Sequence, residues 1–416
     1  LQHDTLSETL RAYFRDDPAF AARLSALERT VSDRQAAFSD RTVSEKLFGK
    51  DMVISASRAE TYYKCPFSYF CKYGLKLKPL KKAELDPAQS GTVIHYCLEN
   101  VLSCYDRDTL AAMSAEQLRA AVEETLSEYA ESRLGGLEGK DARFAHMLDR
   151  LTDTVTDVLQ RLVCEFAVSD FVPAAFELSI APDGEIAPYR LPLENGGSLR
   201  IVGSVDRVDT MKKNGKTYLR VVDYKSGGKT FDLSEVLSGL NMQMLIYLYA
   251  IQENGAEKFG EIVPSGVLYL PAKSVEDKLE RNADETEIEN ARLQNSRMNG
   301  VVLDDTDVIL GMDRDVSARF IPVSARGERF VGKLLDRMEF NALKDKVNDN
   351  LCSMASSLQD GRIPVLPAVQ NGKNIACTYC DYACVCGYES GDDARDLIHY
   401  GKFDDVKKLL KGEEQG

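Results

Sequence analysis

Residues 201–227, IVGSVDRVDTMKKNGKTYLRVVDYKSG, constrain this chain more than any other stretch, because they set charges into two strands built to be buried. Ile201, Val202, Val205 and Val208 are β-formers, and Tyr218–Val222 is the matching return strand. Between them, Asn214-Gly215 is the strongest short hairpin signal. Asp206, Asp223 and Lys225 interrupt these strands. Side chains two residues apart on a strand share a face, so Asp223 and Lys225 should point the same way. A register that pairs the strands can bring Asp206 alongside them. Two readings follow: a solvated hairpin with surface charges, or a divalent-cation site with an ammonium beside it. An unpaired charge is costly inside an apolar strand, which favours the second.

Composition narrows the class. The 416 residues can bury a large core and leave room for more than one domain. A hydrophobic fraction of 44% with 28% charged residues is that of an ordinary globular protein. The net charge of −14 argues against general attraction to nucleic acid. It leaves room for a local basic groove, and Lys64, Lys72, Lys76, Lys78, Lys81 and Lys82 lie in one acid-free run. Tyr62, Tyr63, Phe67, Tyr69, Phe70 and Tyr73 interleave with them, so the run reads either as a single-strand groove or as a solvated strand over core aromatics. No apolar run approaches the roughly 20 residues that span a bilayer. With no secretory signal at the start, ten cysteines point to a reducing compartment, the cytoplasm. The chain opens on Leu1 in mid-pattern, as a piece of a longer protein would.

The expected organisation is helical, then β-rich, then helical. Residues 5–38 pattern as helices, with Pro18 opening the second, and 39–53 read as a connector. Ser57-Arg-Ala-Glu60 has capping-box spacing, and residues 75–80 alternate as an exposed strand would. Long helices are expected over 87–105, 114–132 and 140–170. Strands follow at 174–180 and 189–193, then the hairpin, a helix over 232–252, and a strand at 262–270. A mixed polar stretch at 283–311 and a long helix over 328–359 complete the body. This gives three segments: 1–52, a helical connector; 53–390, the main domain; and 391–416, an acidic tail. Helices before and after a mixed sheet give an α/β or α+β class.

Four cysteines crowd into ten residues, Cys377-Thr-Tyr-Cys380-Asp-Tyr-Ala-Cys384-Val-Cys386. A CxxC pair can chelate one metal centre. Cys384 and Cys386 cannot both easily join it, so a further ligand is expected elsewhere: Cys65, ahead of a proline at a helix break, or alternatively Cys71. Zinc and an iron–sulfur cluster both accept four thiolates, and the spacing does not separate them. Cys97, Cys104, Cys164 and Cys352 fall on helices and read as small core residues.

These motifs together resemble a known family over residues 53–388. Gly203-xx-Asp206-Arg-x-Asp209 with Asp223-Tyr-Lys225 is similar to the RecB-like form of the PD-(D/E)xK nuclease core. Gly91-xxx-His95 resembles that group's upstream histidine motif, and Gln243-xxx-Tyr247 its downstream QxxxY motif. Cys65 with Cys377-xx-Cys380-xxxxx-Cys386 resembles the iron–sulfur staple of AddB-type subunits of bacterial helicase–nucleases, in which Cys384 would not be a ligand. The resemblance implies a restriction-endonuclease-like mixed sheet flanked by helices, with helical insertions and a 4Fe-4S cluster tying its ends together.

It also implies roles. Asp206, Asp223, His95 and the Tyr224 carbonyl would bind Mg²⁺ or Mn²⁺, Lys225 would act on the attacking water, and Gln243 and Tyr247 would touch DNA or order the site. Glu177, interrupting an apolar strand, reads either as an additional acid or as a cross-strand salt bridge. Asp209 reads as structural, paired with Arg207 or a neighbouring lysine. The implied activity is a metal-dependent exodeoxyribonuclease within a complex with an AddA-type helicase–nuclease, cutting the 5′-terminated unwound strand for recombinational repair. Two other readings stand beside it: a stand-alone iron–sulfur exonuclease of the CRISPR-adaptation type, and an inactive nuclease fold kept as a DNA-binding scaffold.

Overall fold

The computed structural model describes residues 5–32, 37–38, 40–79, 87–136, 142–194, 196–227, 230–273, 284 and 297–412. Its strands are β1 (Asp51–Ser55), β2 (Val172–Ile180), β3 (Tyr189–Pro192), β4 (Ser198–Lys213), β5 (Lys216–Lys225), β6 (Ile262–Pro271), β7 (Asn299–Leu303), β8 (Val323–Arg326), β9 (Arg329–Gly332) and β10 (Leu334–Leu335). Three more, β11 (Ala368–Gln370), β12 (Lys373–Asn374) and β13 (Arg395–Leu397), form a small sheet in the order β12-β11-β13.

The central sheet runs β1-β4-β5-β6-β7-β10, with β2 and β3 also paired to β4. The 16-residue β4 is its spine: the first half pairs with β1 and β3, the second with β2 and β5. The β4–β5 hairpin turns at Asn214 (φ 53°) and Gly215 (φ 76°), the two positive dihedrals that a type I′ turn requires. Parallel and antiparallel pairs mix, since β5–β6 is parallel and β6–β7 antiparallel.

Helices cover this sheet because their apolar stripes have nowhere else to go. Pro87–Cys104 buries Ile94, Cys97, Leu98 and Val101, and Ala142–Val168 buries Val155, Val158, Leu159 and Leu162. Gln243–Asn254 is apolar all round and buries every residue from Met244 to Ile251. The helices Ala115–Leu134 and Arg337–Gln359 both start on full capping boxes, Ser114 with Gln117 and Asp336 with Glu339.

Several expectations are corrected. The stretch 39–53 holds the helix Arg41–Phe48 and strand β1. Helix Ala56–Lys64 is capped by Ser55, whose Oγ accepts from the Arg58 amide, because β1 runs straight into the helix; Ser57 is already inside it. Residues 75–79 pair with no strand among the described residues, and Lys81 and Lys82 lie outside those residues. The helix expected over 232–252 is two, Leu233–Leu237 and Gln243–Asn254, separated by Gly239 (φ 82°) and Asn241 (φ 56°). A Cβ at Gly239 would overlap the Tyr63 ring. The helix expected from 328 starts at Arg337, because Gly327 and Gly332 adopt positive φ and close the β8–β9 hairpin instead. Most of 274–296 lies outside the described residues. At the carboxy-terminal end, β13 and the helix Phe403–Leu410 pack back on the body, where Lys407 Nζ reaches the Leu334 carbonyl and Glu339.

Candidate active site

The hairpin, β2 and the 87–104 helix bring the predicted residues to one place. Tyr224 donates its amide N–H to Asp206 Oδ2 at 2.9 Å, which locks β5 to β4 at the site. His95 lies between the same two elements. Its Nε2 is 2.9 Å from the Tyr224 carbonyl oxygen, and its Nδ1 is 3.3 Å from Asp206 Oδ2. Burial pulls the imidazole toward neutrality, but Asp206 and the Tyr224 carbonyl outweigh it and His95 titrates above its ordinary value. As expected for positions i and i+2, Lys225 Nζ meets Asp223 Oδ2 at 2.5 Å. Asp223 is only 5% exposed; burial first and the Asp206 charge second raise its carboxyl to about 6, against the pull of Lys225.

Glu177 joins this group. In the β2–β4 ladder it falls opposite Asp206, between the pairs Phe176–Arg207 and Leu178–Val205, and its φ of 43° marks a local break in the strand. Its Oε2 accepts from Ser204 Oγ at 2.7 Å. Ligand atoms of His95, Glu177 and Asp206 lie within 4.8 Å of one another. The sequence left Glu177 between two roles because a strand's charge pattern does not reveal its opposite number; the register decides it. Glu99, one helical turn beyond His95, has its carboxyl raised by burial and by Glu177.

Gln243 and Tyr247 stand on the helix behind the hairpin. Gln243 is within hydrogen-bond reach of the Tyr247 hydroxyl, and burial together with the Asp206 and Asp223 charges raises the Tyr247 phenol to about 12. Gly203 shares this contact, since a Cβ there would overlap that hydroxyl. Glu60 acts on Tyr247 and Tyr269 through its charge. Its apparent place in a capping box hid that position.

Beneath the site lies a buried quartet of charges. Arg207, Asp209 and Arg220 are 0% exposed, and Glu165 of the 142–168 helix is 1%. Arg207 Nε meets Asp209 Oδ1 at 2.9 Å, and Arg220 Nε donates to Asp209 Oδ2 at 2.9 Å. Arg220 also bonds Glu165, which stands 3.6 Å from Arg207. Asp209 is therefore paired with Arg207, as expected, and with Arg220 as well.

Four of the cysteines gather where residues 65–77 meet residues 377–386. Cys65 sits at the N-cap position of the short helix Pro66–Tyr69 without a side-chain cap hydrogen bond, and burial raises its thiol against the pull of the Ser68, Leu366 and Phe67 amides. Asn374 Oδ1 accepts from the Cys377 amide at 2.8 Å, and the Tyr382 hydroxyl donates to the Leu77 carbonyl at 3.0 Å, closing the 377–386 loop over the 65–77 segment. Buried Cys71, on a single π-turn (Phe70–Gly74), feels the charges of Cys380, Cys65 and Cys386. Cys384 is exposed. Among the described residues, no three thiol sulfurs lie within 4.8 Å of one another. The aromatics of 62–73 pack on each other, Tyr62 on Tyr69 and Tyr69 on Tyr73 at centroid distances of 5.9 and 5.1 Å. Lys64, Lys72, Lys76 and Lys78 remain exposed above them.

The chain belongs to the PD-(D/E)XK nuclease superfamily, whose family model matches residues 53–387 and so spans the mixed sheet, the hairpin and the histidine helix. More particularly, it is similar to proteins named as the B-type subunits of ATP-dependent helicase/deoxyribonuclease. The relative from Caldanaerobacter subterraneus is 31% identical over 379 residues, covering 89% of this chain and 33% of the relative. Those from Clostridium novyi and Ruminiclostridium cellulolyticum are 29% and 30% identical over 415 residues, covering 96% of this chain and 36% of each relative. The chain thus spans about a third of the length of these relatives. No helix among the described residues is long and apolar enough to cross a membrane.

Proposed function

We propose that this chain is the nuclease part of a helicase–nuclease complex: a Mg²⁺-dependent deoxyribonuclease that trims DNA ends opened by an AddA-type partner in the cytoplasm, cutting the 5′-terminated strand for recombinational repair. The observation that carries it is the convergence of His95, Glu177 and Asp206 beside the Asp223–Lys225 pair, within a superfamily of nucleases. The donor set suits a hard divalent cation: two carboxylates, one imidazole and the Tyr224 carbonyl, with Asp223 adjoining. Bound there, Mg²⁺ would polarise the phosphate and lower the pKa of a water to make it nucleophilic.

The chain's own residues supply the rest. Lys225, paired with Asp223 on β5, would orient the attacking water and offset charge that builds on the phosphate oxygens. Asp206 and Glu177 would hold the ion with Asp223 beside them, the Tyr224 amide fixing Asp206 and His95 lying against the Tyr224 carbonyl. Gln243 and Tyr247 would contact the substrate backbone above Gly203.

The cysteine lobe supports an iron–sulfur cluster held by Cys65, Cys377, Cys380 and Cys386. This set is the one that the resemblance to AddB-type subunits implies, and the 65–77 and 377–386 segments that carry it meet where the Tyr382 hydroxyl donates to the Leu77 carbonyl.

The test is Mg²⁺-dependent degradation of single- and double-stranded DNA by the parent and by Asp223→Ala. The variant should lose about a hundredfold or more in rate while still binding DNA. Equal rates would remove the site assignment.

A further inference from the structure

Lys225 needs a fixed position to work, yet its ammonium sits on a flexible four-carbon stem with freely rotating donors. Asp223 alone would draw it sideways. A second contact locates it: Lys225 Nζ stands 5.0 Å from the centroid of the Tyr269 ring. Tyr269 lies on β6 directly beside Asp223 in the β5–β6 ladder, so the ring forms a floor beneath the lysine's end of β5. A cation over an aromatic face is attracted by the ring quadrupole, and more strongly away from water.

The ring is itself held. Tyr269 is 1% exposed, and its hydroxyl donates to Asn241 Oδ1 at 2.8 Å. Asn241 Nδ2 donates to the Thr230 carbonyl and to Glu235 Oε2, both at 2.9 Å. Glu235 Oε1 in turn accepts from Gln370 Nε2 of β11 at 3.3 Å. Asn241 adopts φ 56° in the break between the 233–237 and 243–254 helices, a left-handed conformation that asparagine tolerates better than most residues. The helix break thus presents one buried amide to one phenol.

We infer that Tyr269 and Asn241 are positioning residues for the nuclease reaction: the Tyr269 ring seats the Lys225 ammonium, and Asn241 fixes that ring from behind. This rests on the nuclease reading above. Both residues are buried, at 1% exposure each, and act through Lys225, so their loss should appear in kcat rather than in DNA affinity.

The experiment measures kcat and KM on single-stranded DNA for the intact protein and its Tyr269→Leu, Tyr269→Phe and Asn241→Gly variants, the last keeping the left-handed backbone. Tyr269→Leu should lower kcat about thirtyfold with KM within about twofold of the parent. Tyr269→Phe keeps the ring and loses the hydroxyl, and should cost only about threefold. The Tyr269→Phe/Asn241→Gly double variant should be no slower than Asn241→Gly alone, since both changes cut one bond. If Tyr269→Leu fails to fold, the Phe and Gly variants and their double carry the same test. Parental kcat in Tyr269→Leu, a loss confined to KM, or additive losses in the double variant would overturn the proposal. Asp223→Ala assayed alongside separates the two readings: its inactivity upholds the nuclease site whatever the Tyr269 variants do, whereas its full activity removes both.

Discussion

Asp223 shows how one residue's surroundings set its chemistry. Its carboxyl is held near 6 by burial and by Asp206, well above the ordinary 3.8. The folded chain therefore binds that proton more tightly than the unfolded chain does. Its contribution to stability is fully present below the unfolded value and is lost as pH rises through about 6. A divalent cation needs the ionised form, so Mg²⁺ should raise the thermal midpoint by several degrees at about pH 7.5 and by far less at about pH 5. Calorimetry with and without Mg²⁺ at the two pH values checks this, and equal shifts would count against Asp223 as a ligand. Gly203 makes a second case. Gly203→Ala should push Tyr247 off its seat and slow cleavage by about a hundredfold, read as kcat on single-stranded DNA. The glycine was legible as part of a motif; its reason, an overlap with a hydroxyl 44 positions away along the chain, was not.

At the scale of elements, the hairpin works because its hidden face is as charged as its exposed one. Arg207 and Arg220 offset Asp209 and Glu165 inside the fold, which ties β4, β5 and the 142–168 helix in one register. Removing one partner leaves a buried uncompensated charge. Asp209→Ala should therefore cost about 3–5 kcal/mol, measured by denaturant unfolding. A loss under about 1 kcal/mol would mean that water reaches the two arginines. The pairing of Asp209 with Arg207 could be read from spacing. Arg220 and Glu165 could not, because their place depends on the strand register and on which helix crosses beneath.

Across the whole molecule, the cysteine lobe joins segments roughly 300 residues apart, so whatever it holds closes a very long loop in the unfolded chain. Cys380→Ser should remove iron and acid-labile sulfide and lower the thermal midpoint, while Cys384→Ser should leave both as in the parent. Metal analysis with a thermal melt checks the pair of variants. Zinc found in stoichiometric amount in anaerobically prepared parent would overturn the cluster. The lobe is also tied to the body without any metal, through Arg395 of β13, which bonds the Ser238 carbonyl at 3.0 Å and the Tyr63 carbonyl beside Cys65.

The sequence by itself determined the β4–β5 hairpin, its carboxylates and lysine, the histidine helix and the cysteine spacing, because these depend on near neighbours: an Asn-Gly turn, alternation along a strand, an i and i+4 helix face. It misplaced helix starts at 57 and 328, where a cap or two positive-φ glycines overrode the pattern. Only the tertiary structure decided that Glu177 stands opposite Asp206, that the Glu60 charge acts on Tyr247 and Tyr269, and that a broken helix offers Asn241 to the ring beneath Lys225. Those relations are set by strand register and by packing between distant segments, and no local periodicity encodes either.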